Sequence, residues 1–545
     1  MIRSFISTLV LSLCVCYLAA QEGARLSGSV EIRANFFQED SLIGAFNTPQ
    51  YDHQLYGAEG WLNLNYNYAG FDVGLRFDVF NQSNLLNPQG SYTAEGIGRW
   101  YVKKQLDKLH LSGGYLYDQI GSGIIFRAYE ERPLLIDNAL YGLRLRYDLD
   151  ENWQIKAFTG RQKQQFDRYD TVLKGFNVEG YIDGNATAED AKLWSLAPGL
   201  GIVAKTLSDP TTDLIVNTIS TYTRPDSIGA QFNTYAITLY NTLQVDHFNW
   251  YIEWAYKTDD VLFDPFASRT NRNGTESLGK LVNPNGSVLY SSLSYAGKKY
   301  AVTLEGKRTD NFTFRTNPFV TLNQGMINFL PPLVRVNTYR LPARYAAATQ
   351  ELGERAIQVD LRYAPRRQLT FNLNFSNITD LEDVLLYREV FTEVQYKYKR
   401  KWQLTGGIQF QQYNQERFEI KPDVPLVQTI TPYADFLYKI DRKKAIRTEL
   451  QYMNTQQDFG SWLFGLVEYS VAPRWTFTIS DMWNVAPQRT AEDLHYPRFD
   501  IFYNIKRNRF SLSYVKQVEG IVCSGGVCRL EPAFSGIRFT LNSTF

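Results

Sequence analysis

Cysteine and histidine are scarce in this sequence of 545 residues, which holds four of each. So few cysteines exclude a disulfide-built scaffold, and no His/Cys spacing has the form of a zinc site. An excess of one charge is missing too. Lys+Arg number 57 against 56 Asp+Glu, for a net charge of +1, so nothing suits the chain to nucleic acid or makes it a solvating acidic tail. Beyond Ala20 no apolar run reaches the roughly 18 residues of a membrane-spanning helix. What is abundant is aromatic: Tyr, Phe and Trp make up 15% of the chain beside 21% charged residues. A disordered chain would lack those rings.

The first twenty residues, MIRSFISTLVLSLCVCYLAA, read as a secretory signal peptide. Arg3 supplies the positive end, Phe5 to Leu18 the apolar stretch, and Leu18-Ala19-Ala20 the cleavage site before Gln21. A lipoprotein signal is the rival because of Cys14 and Cys16, but Leu13 and Val15 precede them where that processing needs a small residue. Only Cys523 and Cys528 then remain, flanking Ser-Gly-Gly-Val, and a local disulfide is expected in an oxidising compartment. An exported chain without a spanning helix is either soluble or a closed membrane barrel.

The remaining chain, 21–545, shows one period almost throughout and is read as a single domain. Leu62, Leu64, Tyr66 and Tyr68 alternate with Asn63, Asn65 and Asn67; Leu369, Phe371, Leu373 and Phe375 alternate with Thr370, Asn372, Asn374 and Ser376. In strands these sets point to opposite faces, one apolar and aromatic, the other polar. The segments run about 10–13 residues, enough for a tilted strand to cross a bilayer. Trp402, Trp475, Tyr398 and Tyr438 sit near segment ends, as in the aromatic girdles of such barrels. Short links (Tyr68 to Gly70, Asp148 to Asn152, Arg400-Lys401, Lys506 to Arg509) alternate with long ones (Thr258 to Asn285, Thr309 to Glu354, Asn414 to Gln428). The pattern predicts an all-β, transmembrane, antiparallel up-and-down β-barrel with short periplasmic turns and long extracellular loops. About 23 segments alternate clearly. A weak strand at Lys174 to Ile182 restores the direction count and brings the total to about 24, within roughly 22–26. Ile537, Phe539, Leu541, Ser543 and Phe545 fall on one face of the last segment, in the manner of a C-terminal signal for the barrel-insertion machinery.

Two stretches, GSGIIFRAYEERPLLIDNALYG from Gly121 to Gly142 and LPPLVRVNTYRLPARYAAATQELGE from Leu330 to Glu354, resemble an uncharacterised outer-membrane barrel family of the Bacteroidota, known as a domain of unknown function. Asn337 stands where that family carries a His, and Ala346 replaces a Pro-Tyr-like element. The resemblance implies an outer-membrane barrel and assigns no chemistry.

Candidate sites are few. His53, His110, His247 and His495 form no cluster, so catalysis by a positioned base has little support. Arg127, Glu130, Glu131, Arg132 and Asp137 make a charged stretch, read first as a solvated loop with surface ion pairs. The second reading folds it into the lumen against inward charges such as Arg144 and Arg146. Gly121-Ser122-Gly123 is no phosphate loop, since no helix pattern or Lys follows it. The segment Thr309 to Glu354 holds Phe312, Phe314, Phe319, Phe329, Leu330, Leu333 and Tyr339, too apolar for a free outside loop. It either folds inward as a lid or anchors a partner.

The expected function is a non-enzymatic outer-membrane barrel, a passive or loop-gated porin-like channel for small polar solutes that uses no cofactor or metal. The alternative is a scaffold or accessory subunit of a secretion, assembly or uptake complex; a barrel hydrolase is a third reading. Expected partners are outer-membrane lipid and lipopolysaccharide, the insertion machinery and other outer-membrane proteins, with no nucleic acid.

Overall fold

The computed structural model describes residues 25–545 except 88, 135, 185–193, 322, 490–492 and 525–526, and side chains other than those of 133 and 521–530. The expected signal segment lies outside the described residues. Among them, 24 strands form one closed antiparallel barrel, each paired with the next in sequence. Closure is made by Arg25–Phe37 against Phe534–Thr544. The weak strand expected at 174–182 is Asp167–Gly180, continued by Ile182–Asp183; both pieces pair with Trp194–Thr206, so they count as one.

Register follows the side-chain alternation. Val30 faces Leu62 and Ile32 faces Leu541 on the outer side, while Glu31 faces Trp61 and Arg33 faces Glu59 on the inner side. A slip of one residue would turn every apolar side chain into the lumen, so the pattern itself holds the register. The outer belt carries Leu143, Leu145, Leu239, Leu304, Leu450 and Ile479, all exposed. Towards the turn end it becomes aromatic: Tyr398 stacks on Trp402 at 5.6 Å, and Trp475 lies 4.4 Å from Tyr503.

Links sort by length as the sequence predicts. At one end they are tight, as at Ala69-Gly70, where φ values of 50° and 75° give the left-handed two-residue turn that matches strand twist. At the other most are long, the turn between Gln164 and Asp167 being an exception. The link after Trp194–Thr206 contains a helix, Asp209–Ile219, capped by Ser208, whose hydroxyl accepts from the Thr211 amide. The link after Phe248–Lys257 contains a hairpin of Leu262–Thr270 and Glu276–Val282. Helix and hairpin share a small core of Leu207, Ile215, Ile219, Tyr222, Val261 and Leu281 at the loop end. The helix is an addition to the all-strand expectation.

The seam has its own lock. Gly28 and Phe545 exchange two backbone hydrogen bonds of 3.0 Å, and the Phe545 ring lies across Gly28, where an added Cβ would meet its Cζ at 2.5 Å. Only glycine leaves room for that ring. Phe539 and Leu541 face Ala34 and Ile32 along the same seam.

Candidate functional site

The lumen is filled at its loop end by two of the chain's own loops, 117–139 and 311–352. Ile120, Ile124, Ile125 and Phe126 of the first, and Phe312, Phe314, Ile327, Leu333 and Leu341 of the second, are each no more than 2% exposed. They pack with wall residues Leu173, Val203, Ala236, Ala255 and Trp462 in one apolar core. Each such side chain contributes roughly 2 kcal/mol on burial, which is why so greasy a segment turns inward. The loops are stitched together: Arg127 donates its amide to Ile327 (2.8 Å), Phe329 donates to Gly123 (2.9 Å), and the Asn138 amide group reaches the Met326 carbonyl (3.0 Å).

Of the other apolar positions, Leu330 is buried and Tyr339 packs against Tyr433 at 4.2 Å and Phe391. Phe319 rests on the helix–hairpin core, and Phe329 lies under the Arg127 guanidinium at 4.2 Å.

Charges clamp the first loop to the wall. Arg76, 3% exposed, binds Asp78 (2.6 Å), Glu130 (2.8 Å) and Asp137 (2.7 Å). Lys163 also pairs with Asp137, and Arg132 bridges Glu31 (2.6 Å) and Glu130 (2.7 Å). Burial pushes the Asp137 carboxyl up, but Lys163 and Arg76 beside it outweigh this and bring it down to about 2. The first reading of this stretch as a solvated loop is therefore corrected: only Glu131 of the set is exposed. The expected partners are met in part: Arg144 binds Asp118 of the same loop (3.1 Å), whereas Arg146 binds Asp148 (3.2 Å) and His110 (2.8 Å) outside it. Both lie down the descending strand Leu140–Asp148, at about 3.3 Å per residue too far from the rim to reach Glu130.

The tip Gly121-Ser122-Gly123 does bind an anion, one from its own chain. Glu253, fully buried in the wall, accepts from the Ser122 amide (2.9 Å) and hydroxyl (2.5 Å), from Thr238 (2.8 Å) and from Tyr251 (2.5 Å). Gly121 and Gly123 both have positive φ, 55° and 101°, and so aim the tip at that carboxylate.

Four rising strands in succession place an inward lysine at or near their upper ends: Lys163, Lys205, Lys257 and Lys307. Lys163 holds Asp137 of the first loop, and the other three hold the second. Lys257 donates to the Thr313 carbonyl (2.6 Å) and Lys205 to that of Arg315 (3.2 Å), while both pair with Asp260; Lys307 bonds the Pro331 carbonyl and Glu354 (2.8 Å). Farther round the wall, the Asn337 amide donates to Glu389 (3.2 Å), Gln411 donates to the Tyr345 carbonyl (2.6 Å), and Gln451 accepts from the Leu341 amide (2.7 Å). Sequence reading missed this lysine row, although its signal was present as one inward Lys per rising strand.

Space remains around the plug. At the loop end a cavity of about 510 Å³ lies between the second loop and the wall, bordered by Arg340, Arg344, Asp458, Met482 and Gln517. A second, of about 330 Å³, continues down the wall past Arg340, Tyr496, Arg498 and Asp500. Under the plug, polar cavities of about 390 and 770 Å³ open around Asp118, Arg146 and Lys156. Among the described residues no group of three or more His, Cys, Asp or Glu could hold a metal ion. The histidines are scattered: His110 faces the lumen beside Asp148 (2.8 Å), and His495 pairs with Asp481 (2.6 Å) at the opposite end of the barrel.

Solved structures similar to this chain include the P pilus usher translocation pore, at 8% identity and a TM-score of 0.42, covering 95% of this chain and 99% of that one. The Pseudomonas aeruginosa siderophore receptor PirA follows at 9% identity and a TM-score of 0.37, covering 96% and 80%. The ferric-catecholate import receptor Fiu of E. coli K12 stands at 10% and 0.36, covering 96% and 82%. Scores this low bear on no activity or ligand. No curated protein matches the chain. One family model does, over residues 1–545, and the chain therefore belongs to that family, the family of unknown function DUF6029.

Proposed function

We propose that this protein is an integral outer-membrane barrel, exported by its N-terminal signal, that works as a loop-gated channel for small polar solutes. The observation that carries the reading is the plug. A closed cylinder of 24 strands with an apolar outer belt has no stable place but a bilayer, and its obstruction is made of two loops held by side-chain contacts rather than by the wall itself. Space left beside those loops supports conduction of small solutes in the closed state and of larger ones when the loops move. Lipid and lipopolysaccharide surround the belt. Phe539, Leu541 and Phe545 serve insertion; the side chains of Cys523 and Cys528, for which a disulfide is expected in an oxidising compartment, lie outside the described residues.

Purified protein reconstituted in planar bilayers tests this reading. Discrete current steps, small for so wide a barrel, are expected. A folded, heat-modifiable barrel that carries no current and co-purifies with other outer-membrane proteins would replace the channel by an accessory subunit.

A further inference from the structure

The tight links at the turn end divide by charge into two arcs. Successive links from Ala296 to Asn508 carry, in or beside them, Lys298-Lys299, Arg366-Arg367, Lys399 to Lys401, Arg442 to Lys444, Arg474 and Lys506-Arg507, all of them exposed. These links join the strands from Gly286–Ala296 to Asn508–Gln517, half of the wall. Among the described residues the links of the other half carry Asp107, Lys108, Asp150, Glu151 and Asp246 instead.

The bases of the first arc are also unengaged. Among the described residues none of their side chains makes an ion pair or a hydrogen bond. Asp441, the acid among them, is held by its own turn, accepting from the Lys443 amide (2.7 Å) and the Lys444 amide (2.9 Å). Acids next up the wall are held there: Asp435 by Arg447 (2.7 Å), Glu393 by Asn372 (2.8 Å) and the Tyr433 hydroxyl (2.9 Å). Bases of the other half, by contrast, have partners. Lys103 pairs with Asp72 (3.7 Å), and Lys104 and Lys108 donate to the Ala69 (2.6 Å) and Leu149 (3.0 Å) carbonyls. Like charges set side by side repel one another, and an anionic surface relieves that repulsion.

Depth identifies the surface. Outward rings lie directly behind these turns: Tyr295 stacks on Tyr300 at 5.4 Å, Tyr363 on Phe371 at 6.2 Å and Tyr398 on Trp402 at 5.6 Å. Lys399 lies over the Tyr398 ring at 5.2 Å and Lys401 over the Tyr438 ring at 5.7 Å, so both lean to the lipid side rather than into the lumen. At about 3.3 Å per residue, links this short keep their cations within roughly 7 Å of the aromatic girdle. That is the level of lipid headgroups, since girdle rings mark the lipid–water interface.

We propose that this arc binds the phosphodiester headgroups of anionic phospholipids in the leaflet at the turn end, gathering them on one half of the barrel. The inference rests on the bilayer placement proposed above and is independent of conduction. Tight turns offer a row of single charges and no groove for a folded protein, whereas phosphodiesters are single charges that take their places one by one.

Native mass spectrometry of the detergent-solubilised full chain, equilibrated with equimolar phosphatidylglycerol and phosphatidylcholine, reads the bound lipid directly. Wild type is expected to retain phosphatidylglycerol over phosphatidylcholine by at least about fivefold. A variant combining Lys399→Gln, Arg400→Gln, Lys401→Gln, Arg442→Gln, Lys443→Gln and Lys444→Gln should bring that ratio below about twofold. Lys103→Gln with Lys104→Gln and Lys108→Gln, in the other half, should leave it as in wild type. Heat-modifiable migration confirms that each variant folds. A wild type without lipid preference, or a six-base variant that keeps it, overturns the arc and leaves the barrel in its bilayer. Equal loss in both variants assigns the preference to overall charge and overturns the arc as well. An acidic periplasmic protein captured by wild type and lost from the six-base variant, with both lipids bound alike, replaces lipid by protein. Failure of wild type to insert into phospholipid vesicles rejects the bilayer placement itself.

Discussion

Asp137 shows how a single carboxylate can hold a loop inside a barrel. It sits between Arg76 and Lys163, which keep it ionised down to about pH 2 although burial opposes this. Its folded-state value lies below the ordinary 3.8, so its contribution is fully present above about pH 4 and is lost as pH falls through about 2. That contribution is on the order of 2 kcal/mol. Pepsin cleavage within 117–139 should therefore rise steeply between about pH 4 and 2 in wild type. Asp137→Asn, which leaves two buried cations short of a carboxylate, should loosen the loop by about 3 kcal/mol at neutral pH and flatten the acid step. Matching cleavage profiles would reject the role. Asp137 was singled out from sequence as part of a charged stretch, but Arg76 and Lys163 were not, because they meet it across the lumen and no spacing in the chain records that meeting.

At the scale of elements, the strands were legible and the loops only half so. Period-two alternation is a local property, and each strand shows it alone. An inward loop is held by partners tens to hundreds of residues away, as Gly121-Ser122-Gly123 is by Glu253. The apolar content of 311–352 announced that it had to be covered, without saying by what. The charged stretch gave the opposite impression, since ion pairs buried in a lumen and ion pairs in water use the same residues. The helix Asp209–Ile219 carried a readable start in Ser208-Asp209-Pro210, overshadowed by the surrounding alternation. The tip's grip on Glu253 is open to test. Glu253→Gln keeps the shape but weakens hydrogen bonds to a charged acceptor, at about 1.5–3 kcal/mol. Hydrogen exchange at 117–139 should speed up while that of the barrel strands stays as in wild type. Equal exchange in both would show that the apolar anchors alone hold the loop.

For the whole molecule, strand number and closure decide what the loops must do. The count of 24 was within reach because links alternate in length and both ends of the chain must lie on one side, which required the weak strand now seen at Asp167–Gly180. A cylinder of that many strands is too wide for its wall side chains to fill, so something else occupies the lumen. Here the occupant is the chain itself, with 311–352 contributing the larger share of buried apolar side chains. The most direct measurement is single-channel conductance in planar bilayers with residues 316–350 replaced by a short Gly-Ser linker, folding being verified by heat-modifiable migration. Removal of the plug should raise conductance at least about fivefold over wild type, towards that of an open wide barrel. A folded deletion variant with wild-type conductance would contradict it.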